Sequence, residues 1–497
     1  MMNPLAVPDQ HRNKDGLMAD FEAVIGLETH IQLNTVTKIF CSCKADSWQD
    51  PPNTNICPVC AGLPGVLPVL NEAAVYKGAL LAAAMHAEIR LVSYFDRKNY
   101  FYPDLPKGYQ ISQFDLALGD GGYLDVTMPG GFVRRVNITK LHLEEDAGKT
   151  KYEGGQRLVD FNRCGVPLVE MVTEPDLRSA DEAAQYLIRL RQLLRWLGVS
   201  EADMEKGHLR CDANVSIRTA GSTYLNTKTE IKNVNSIEAV RAAINMEIER
   251  QVSLVQAGGQ VESWTLDWDE TRQRLNKMRS KETEADYRYF REPDLLPLEL
   301  TSEWRDAVIQ NLPELPLERQ LRFMTRYQLP EYDADILTAD RPIADYYEAA
   351  LTAYGTDPKI LSNWIMNEVL RMQNELGLSA DALTLTPEYL AEVIRLVDAG
   401  TINAATGKAL LVKVQQSGQP PQAIVAAEGL SQVSDDSALQ SVIDAVLAAH
   451  PQEVESYRGG KEGLFGWFMG QVMRQTRGQA DPAKTRALLQ KALQGKR

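Results

Sequence analysis

The stretch Val24-Ile25-Gly26-Leu27-Glu28-Thr29-His30-Ile31-Gln32-Leu33, VIGLETHIQL, alternates with period two. Ile25, Leu27, Ile31 and Leu33 fall on one side with Thr29 among them, and Glu28, His30 and Gln32 fall on the other. That pattern predicts a half-buried β-strand. Its second face carries a carboxylate beside an imidazole. Two readings fit: a wet face on an antiparallel sheet, or the floor of a chemical site.

Working outward, residues 21–175 are rich in Gly, Pro and further alternating segments: GGYLDVTM, RRVNITKLHLEED, RLVDFNR and VPLVEMV. Ser179-Ala-Asp-Glu182 is a capping-box signature. Behind it Ala183, Leu187, Leu190, Leu194 and Leu197 keep helical spacing until Gly198 ends the run. More strand follows in HLRCDANVSIRT and LNTKTEIKNV, and Ser236 opens a second long helix that Gly258-Gly259 stops. The first ~300 residues therefore predict an α+β region with a largely antiparallel sheet. From about Glu303 the pattern turns helical, as in TPEYLAEVIRLVDAG. QQSGQPPQ (Gln415–Gln422) reads as a linker. The expected division is a loose leader over 1–20, a sheet-rich domain over 21–300, a helical domain over 301–414, the linker over 415–422 and a helical tail over 423–497. No internal repeat or low-complexity segment interrupts it.

The bulk numbers agree with several domains in a soluble globular chain: 497 residues, 44% hydrophobic and 24% charged. No apolar run approaches the ~20 residues that span a bilayer, so no membrane association is expected. The first twenty residues lack a signal-peptide core, and six cysteines form no disulfide scaffold, which points to a reducing cytoplasm. A net charge of −14 argues against a surface coated with nucleic acid. The tail differs: residues 452–497 hold nine Lys/Arg against four Asp/Glu, and no basic residue lies between Lys413 and Arg458. A local basic module suits nucleic acid or a solvated helix face about equally.

Three groups carry candidate chemistry. Cys41-Ser-Cys43 is followed by Cys57-Pro-Val-Cys60 and then Gly62. Two tight pairs across a short loop suit a structural tetrahedral Zn²⁺, although the first pair is tighter than the usual two-residue spacer. The second group is oxygen-rich: Glu28 and His30, then Glu144 in LHLEED, then Glu170 inside the apolar VPLVEMV with Glu174 at its end. Carboxylates among apolar neighbours must be paired, protonated or metal-bound, and several with one imidazole suit a hard cation such as Mg²⁺. Taken singly, each also fits an ion-pair partner. The third is Tyr100–Gln113, where Lys107-Gly108 and Tyr109 can hold a phosphate in a flexible turn that is no Walker A loop. Arg210-Cys-Asp212-Ala-Asn214 and the segment after Lys228 add weak basic and amide signals. There is no Gly-x-Ser-x-Gly elbow, and Cys164 and Cys211 read as ordinary buried positions.

GLETHIQL, CSCK…ICPVCAGLPGVLPVLN, KNYFYPDLPKGYQISQ, HLEEDAGK, VDFNRCGVPLVEMVTEPD, LRCDANVS, TEIKNVNS, RYFREPDLLPL and GLFGWFMGQVMRQTRGQADP together closely resemble the B subunits of aspartyl/glutamyl-tRNA amidotransferases. The resemblance runs from Val24 almost to the C-terminus. It implies a cradle domain that binds the 3′ end of misacylated Glu-tRNA(Gln) or Asp-tRNA(Asn), phosphorylates the side-chain carboxylate with ATP, and lets ammonia displace the phosphate. The ammonia would come from an amidase (glutaminase) partner, the A subunit, with a small C subunit completing a heterotrimer. By motif, His30, Glu144 and Glu170 resemble the family's Mg²⁺ ligands, with Glu28 as a further ligand or ammonia-handling group. Lys107, Tyr109, Asp212 and Asn214 lie in stretches expected to line the phosphate and ATP pocket. Cys41, Cys43, Cys57 and Cys60 match the zinc-binding form of the family. The basic tail looks like its helical tRNA-binding appendage, with GLFGWFMGQVM expected as a compact helix pair. Two rival readings are a non-catalytic tRNA-binding scaffold and a metal-dependent hydrolase of RNA or phosphate esters.

Overall fold

The computed structural model describes residues 20–128, 131–280, 287–431, 436–476 and 478–494, so all of the expected leader except Asp20 lies outside the described residues. The chain divides into two compact units between Leu315 and Pro316.

The first unit is built on β1 (Phe21–Gln32), β2 (Asp96–Asn99), β3 (Tyr109–Ser112), β4 (Val133–Glu145), β5 (Pro167–Thr173), β6 (Leu209–Thr219), β7 (Thr229–Val234), β8 (Trp264–Asp269) and β9 (Arg274–Ser280). The main sheet runs β9-β8-β7-β6-β1-β5-β4 and continues into two-residue strands at its far edge. All its pairings among the labelled strands are antiparallel except β7 with β8. VIGLETHIQL is thus the central strand, flanked by two long neighbours. Its odd-numbered side, Ile25, Leu27, Thr29 and Ile31, is fully buried. Thr29 keeps its hydroxyl satisfied by donating to the Met171 carbonyl at 3.2 Å.

That apolar face is covered by α1 (Glu72–Ala84), α2 (Ala180–Trp196) and α3 (Ile237–Gln256), which share its core through Leu81, Leu187, Leu190, Val240 and Ile244. The capping signatures hold: Ser179 accepts from the Glu182 N–H at 3.1 Å and Ser236 from the Ala239 N–H at 3.1 Å. Gly198 ends the first of these helices in the left-handed region, at φ +64°. A further helix, α4 (Ser302–Gln310), also belongs to this unit. Its Val308 joins the core, and Trp304 meets Tyr76 of α1 edge-on at 6.4 Å. The expected boundary at 300 therefore moves to 315, because one amphipathic helix docks back onto α1.

The second unit is helical throughout its described residues. The expected linker narrows to Gly418–Pro420. The helix Ala404–Ser417 runs through Gln415–Ser417, Gly418 caps it at φ +67°, and Pro421 opens the helix Pro421–Glu428. Near the end, Leu439, Ile443, Phe468, Val472, Leu489 and Leu493 form a small core of their own. GLFGWFMGQVM is a single helix, Leu464–Gln475, rather than a helix pair. Gly466 and Gly470 sit inside it with open space around them, so neither forces a break. All six cysteines are free. Among the described residues, no helix is long and apolar enough to cross a membrane.

Candidate functional site

Strand register assembles the site. On the polar face, His30 of β1 lies opposite Glu170 of β5 and Arg210 of β6, and Glu170 lies opposite His142 of β4. His142, Glu170, His30 and Arg210 therefore form one row straight across four strands, with neighbours about 4.5–5.5 Å apart at Cβ. One pleat along, Glu28 faces Asp212, and Leu168 faces Glu144. The row floors a cleft of about 760 Å³, whose walls include Lys98, Tyr100, Phe114, Lys232, Tyr287 and Tyr289.

His30 Nε2 lies 3.8 Å from Glu144 Oε1, 3.9 Å from Glu170 Oε2 and 4.0 Å from Glu28 Oε1. These separations are too long for hydrogen bonds. The ligand atoms of His30, Glu144 and Glu170 all lie within 4.8 Å of one another, as do those of Glu28, His30 and Asp212.

The charge states follow from burial and neighbours. Burial, reinforced by Glu170, pushes Glu144 well above the usual carboxylate range. The same two causes push Glu28 up to about 8, although nearly a quarter of its side chain opens to the cleft. Burial works against ionised Glu170 too, but His142 Nε2 at 2.8 Å and the nearby Lys98 hold it well below that range. Burial brings His30 down to about 4, which leaves a neutral imidazole with a free lone pair at neutral pH. Lys98 is half-buried, and although that desolvation works against its charge, Glu170 foremost keeps its ammonium charged. Lys232, also penalised by burial, is held charged by Asp212, Glu230 and Glu28.

A neutral imidazole and two close carboxyl groups crowded at one point form a donor set that fits a hard divalent cation. Around it stand the cationic side chains of Lys98, Arg210 and Lys232. Arg210 is held by Asp146 at 2.9 Å, and Asp146 is itself held by Gln32 at 2.7 Å. Phe114 and Tyr289 stack at 4.3 Å on the cleft wall, where they offer a platform for a ring.

The structure thus brings together Glu28, His30, Glu144, Glu170 and Asp212. It does not bring Lys107, Tyr109 or Asn214 to this cleft. Glu144 and Glu145 are neighbours on a strand and point to opposite faces. Lys107 pairs with Glu145, on the side away from Glu144. Tyr109 lies under Arg97, 4.2 Å from its ring centre. Both line a separate cavity of about 220 Å³ together with Cys41 and Cys60. Asn214 sits further along β6, opposite Gly26 and Glu230. Sequence reading assigned no specific role to Lys98, His142, Arg210, Lys232, Tyr287 or Tyr289. The signal available for His142 was its alternation with Glu144 in LHLE.

The four cysteine sulfurs also lie within 4.8 Å of one another. Cys57 and Cys60 Sγ are 3.8 Å apart, the edge of a tetrahedron with sulfurs about 2.3 Å from its centre. The Cys57 N–H donates to Cys60 Sγ at 3.1 Å. A hydrogen bond from Cys41, then the Cys57 N–H and the Lys38 ammonium, bring Cys60 down to about 4 against its burial. This cluster can hold a metal ion. Gly62, at φ +70°, is needed because a Cβ there would collide with Lys107.

Residues 23–306 match the family described as the GatB/GatE catalytic domain, and residues 345–493 match the GatB domain. Every cleft residue named above falls inside the first match. The B subunit of the aspartyl/glutamyl-tRNA(Asn/Gln) amidotransferase of Crocosphaera subtropica is 47% identical over 488 residues, covering 96% of this chain and 98% of that protein. The B subunit from Persephonella marina is 46% identical over 474 residues, covering 95% and 100%. That from Moorella thermoacetica is 48% identical over 478 residues, covering 95% and 100%. With both family matches and near-full-length relatives on either side of the cleft residues, the chain belongs to the GatB family, the B subunits of aspartyl/glutamyl-tRNA amidotransferases.

Proposed function

We propose that this chain is the kinase and transamidase component that converts misacylated Glu-tRNA(Gln) or Asp-tRNA(Asn) to the amidated form. The observation that carries the reading is the convergence of His30, Glu144 and Glu170 from three adjacent strands in a cleft walled by lysines and aromatic rings. A carboxylate is a poor electrophile because its leaving group would be an oxide. Attack of the substrate's side-chain carboxylate oxygen on the γ-phosphorus of ATP expels ADP and gives an acyl phosphate. Ammonia then adds at the acyl carbon, and inorganic phosphate departs.

In this scheme Lys98, Arg210 and Lys232 bind the phosphate oxygens and oppose their charge as it builds. Glu28, open to the cleft, takes in its ionised form the proton that ammonia loses on forming the amide. His142 fixes Glu170 through its 2.8 Å hydrogen bond. His30, Glu144 and Glu170 would hold a Mg²⁺ ion, which would supply positive charge against the phosphate. Cys41, Cys43, Cys57 and Cys60 would hold a structural Zn²⁺. The relatives' naming as B subunits supports a multi-chain enzyme, in which an amidase (glutaminase) partner supplies ammonia and a small third protein completes a heterotrimer in the cytoplasm.

The test supplies ammonium in place of the amidase partner. ATP should be consumed only when misacylated tRNA is present, and Gln-tRNA should accumulate with it. ATP left intact under those conditions would favour a non-catalytic scaffold, and ATP or RNA cleaved without amide formation would favour the hydrolase.

A further inference from the structure

Lys38 is fully buried, at 0% exposure, and has no part in the cleft. Its Nζ donates to the Asn55 carbonyl at 2.9 Å and to Cys60 Sγ at 3.6 Å, and among the described residues no carboxylate pairs with it. Taking an ammonium out of water is costly unless an anion compensates it. The carbonyl carries no charge to set against it, so among the described residues the only neighbour in reach that can is the sulfur of Cys60. Four thiolates around one divalent cation leave a net negative charge, and that would satisfy it.

We propose that Lys38 is the built-in counter-charge of the metal centre formed by Cys41, Cys43, Cys57 and Cys60, and that its N–H···S hydrogen bond to Cys60 raises the centre's affinity for its metal. The backbone supports the same role. The Lys38 N–H donates to the Cys43 carbonyl at 2.8 Å, so one residue ties both cysteine pairs, the first through its main chain and the second through its ammonium. The side chain has no exposed surface, so its charge is held away from water.

The inference rests on the four cysteines being a metal centre, and the experiment separates the two claims. The full-length protein, Lys38→Met and Lys38→Arg are purified, and bound zinc and its rate of transfer to a chromogenic chelator are measured. Partners of metal-binding side chains typically change affinity 10–100-fold when removed. Lys38→Met should lose zinc about 10–100-fold faster than wild type, and Lys38→Arg, which keeps the charge, should recover most of that loss. Thermal unfolding adds a second test. Lys38→Met should melt well below wild type with zinc loaded and closer to it once zinc is stripped, because the anionic centre that Lys38 pairs with is gone. A lysine that only fills space would lower the melting temperature by the same amount in both states, which would overturn the proposal. Unchanged zinc release in Lys38→Met would overturn it too. Wild-type protein that binds no zinc would overturn both the proposal and the metal centre beneath it. If Lys38→Met is insoluble, Lys38→Gln, which can still donate to Asn55, carries the same comparison.

Discussion

At the residue scale, the cleft depends on charges that cannot all be satisfied by protein. Glu144 has almost no exposure and is driven towards its neutral form by burial and by Glu170, while Ser112 supplies one hydroxyl at 3.2 Å. Replacing it with Gln keeps the shape and removes the charge that a cation needs. Glu144→Gln should lower ammonia-dependent Gln-tRNA formation by at least about 100-fold. Far-ultraviolet circular dichroism and melting temperature should stay near wild type. Equal amidation by the mutant and the wild type would remove Glu144 from the site. Glu144 and Glu170 were legible in sequence because each sets a carboxylate in a largely apolar strand, and Glu28 and His30 because they share the polar face of an alternating one. Lys98, Arg210 and Lys232 were not, because lysine and arginine on strands are ordinary at sheet edges. Register places Arg210 beside His30 and Lys232 on the strand next to Asp212, while Lys98 reaches the cleft from a separate sheet. Lys107 misled for the opposite reason. Beside a glycine it resembles a phosphate loop, yet it pairs with Glu145 and lines a separate cavity.

At the element scale, the central strand was legible because one of its faces is uniformly apolar and period two forbids a slip. The pairing order was not, because β1 lies between β5 and β6, which are far from it in the chain. Caps were legible as well, since Ser179 and Ser236 each precede a helical run with an acid in its first turn. The linker was misjudged, since Gln415 and Ser417 extend a helix as readily as they leave one. The helical unit offers its own test. Glu348 in the helix Arg341–Tyr354 accepts from Arg319 Nη2 at 2.7 Å, Arg322 Nη1 at 2.6 Å and the Tyr327 hydroxyl at 2.7 Å. Burial works to raise its pKa, but these donors hold it at about 2 against an ordinary 4.5. A depressed folded-state pKa stabilises above the unfolded value and loses that contribution as pH falls through the folded one. Glu348→Gln should therefore cost about 1–2 kcal/mol at pH 7, discounted for its partial exposure. The gap between mutant and wild type in denaturant titrations should shrink as pH falls from 4.5 towards 2. A gap independent of pH would mean that packing, not charge, is what Glu348 supplies.

At the scale of the whole molecule, the chain separates chemistry from a helical unit whose end is basic. Residues 452–497 carry nine Lys/Arg against four Asp/Glu in a protein of net charge −14. Phosphate contacts give binding that weakens linearly in log salt. Deleting residues 436–497 should raise the KM for tRNA by about tenfold or more and flatten its salt dependence, while kcat at saturating tRNA stays within about twofold. A fall in kcat with unchanged KM would place the end of the chain in the chemistry instead. Metal removal acts on the other unit. Stripping divalent cations with EDTA should stop ATP consumption, and Mg²⁺ should restore it to wild type but not to Glu144→Gln. Full activity after stripping would contradict a cation at His30, Glu144 and Glu170.

The central claim is that the cleft makes the substrate carboxylate oxygen a leaving group by phosphorylating it. The most direct measurement starts from Glu-tRNA(Gln) carrying ¹⁸O in its side-chain carboxylate, with ATP, Mg²⁺ and ammonium. Phosphorylation of that carboxylate predicts inorganic phosphate containing ¹⁸O in step with each Gln-tRNA formed, and unlabelled ADP. Gln-tRNA formed with unlabelled phosphate, or with the label in AMP, would contradict it.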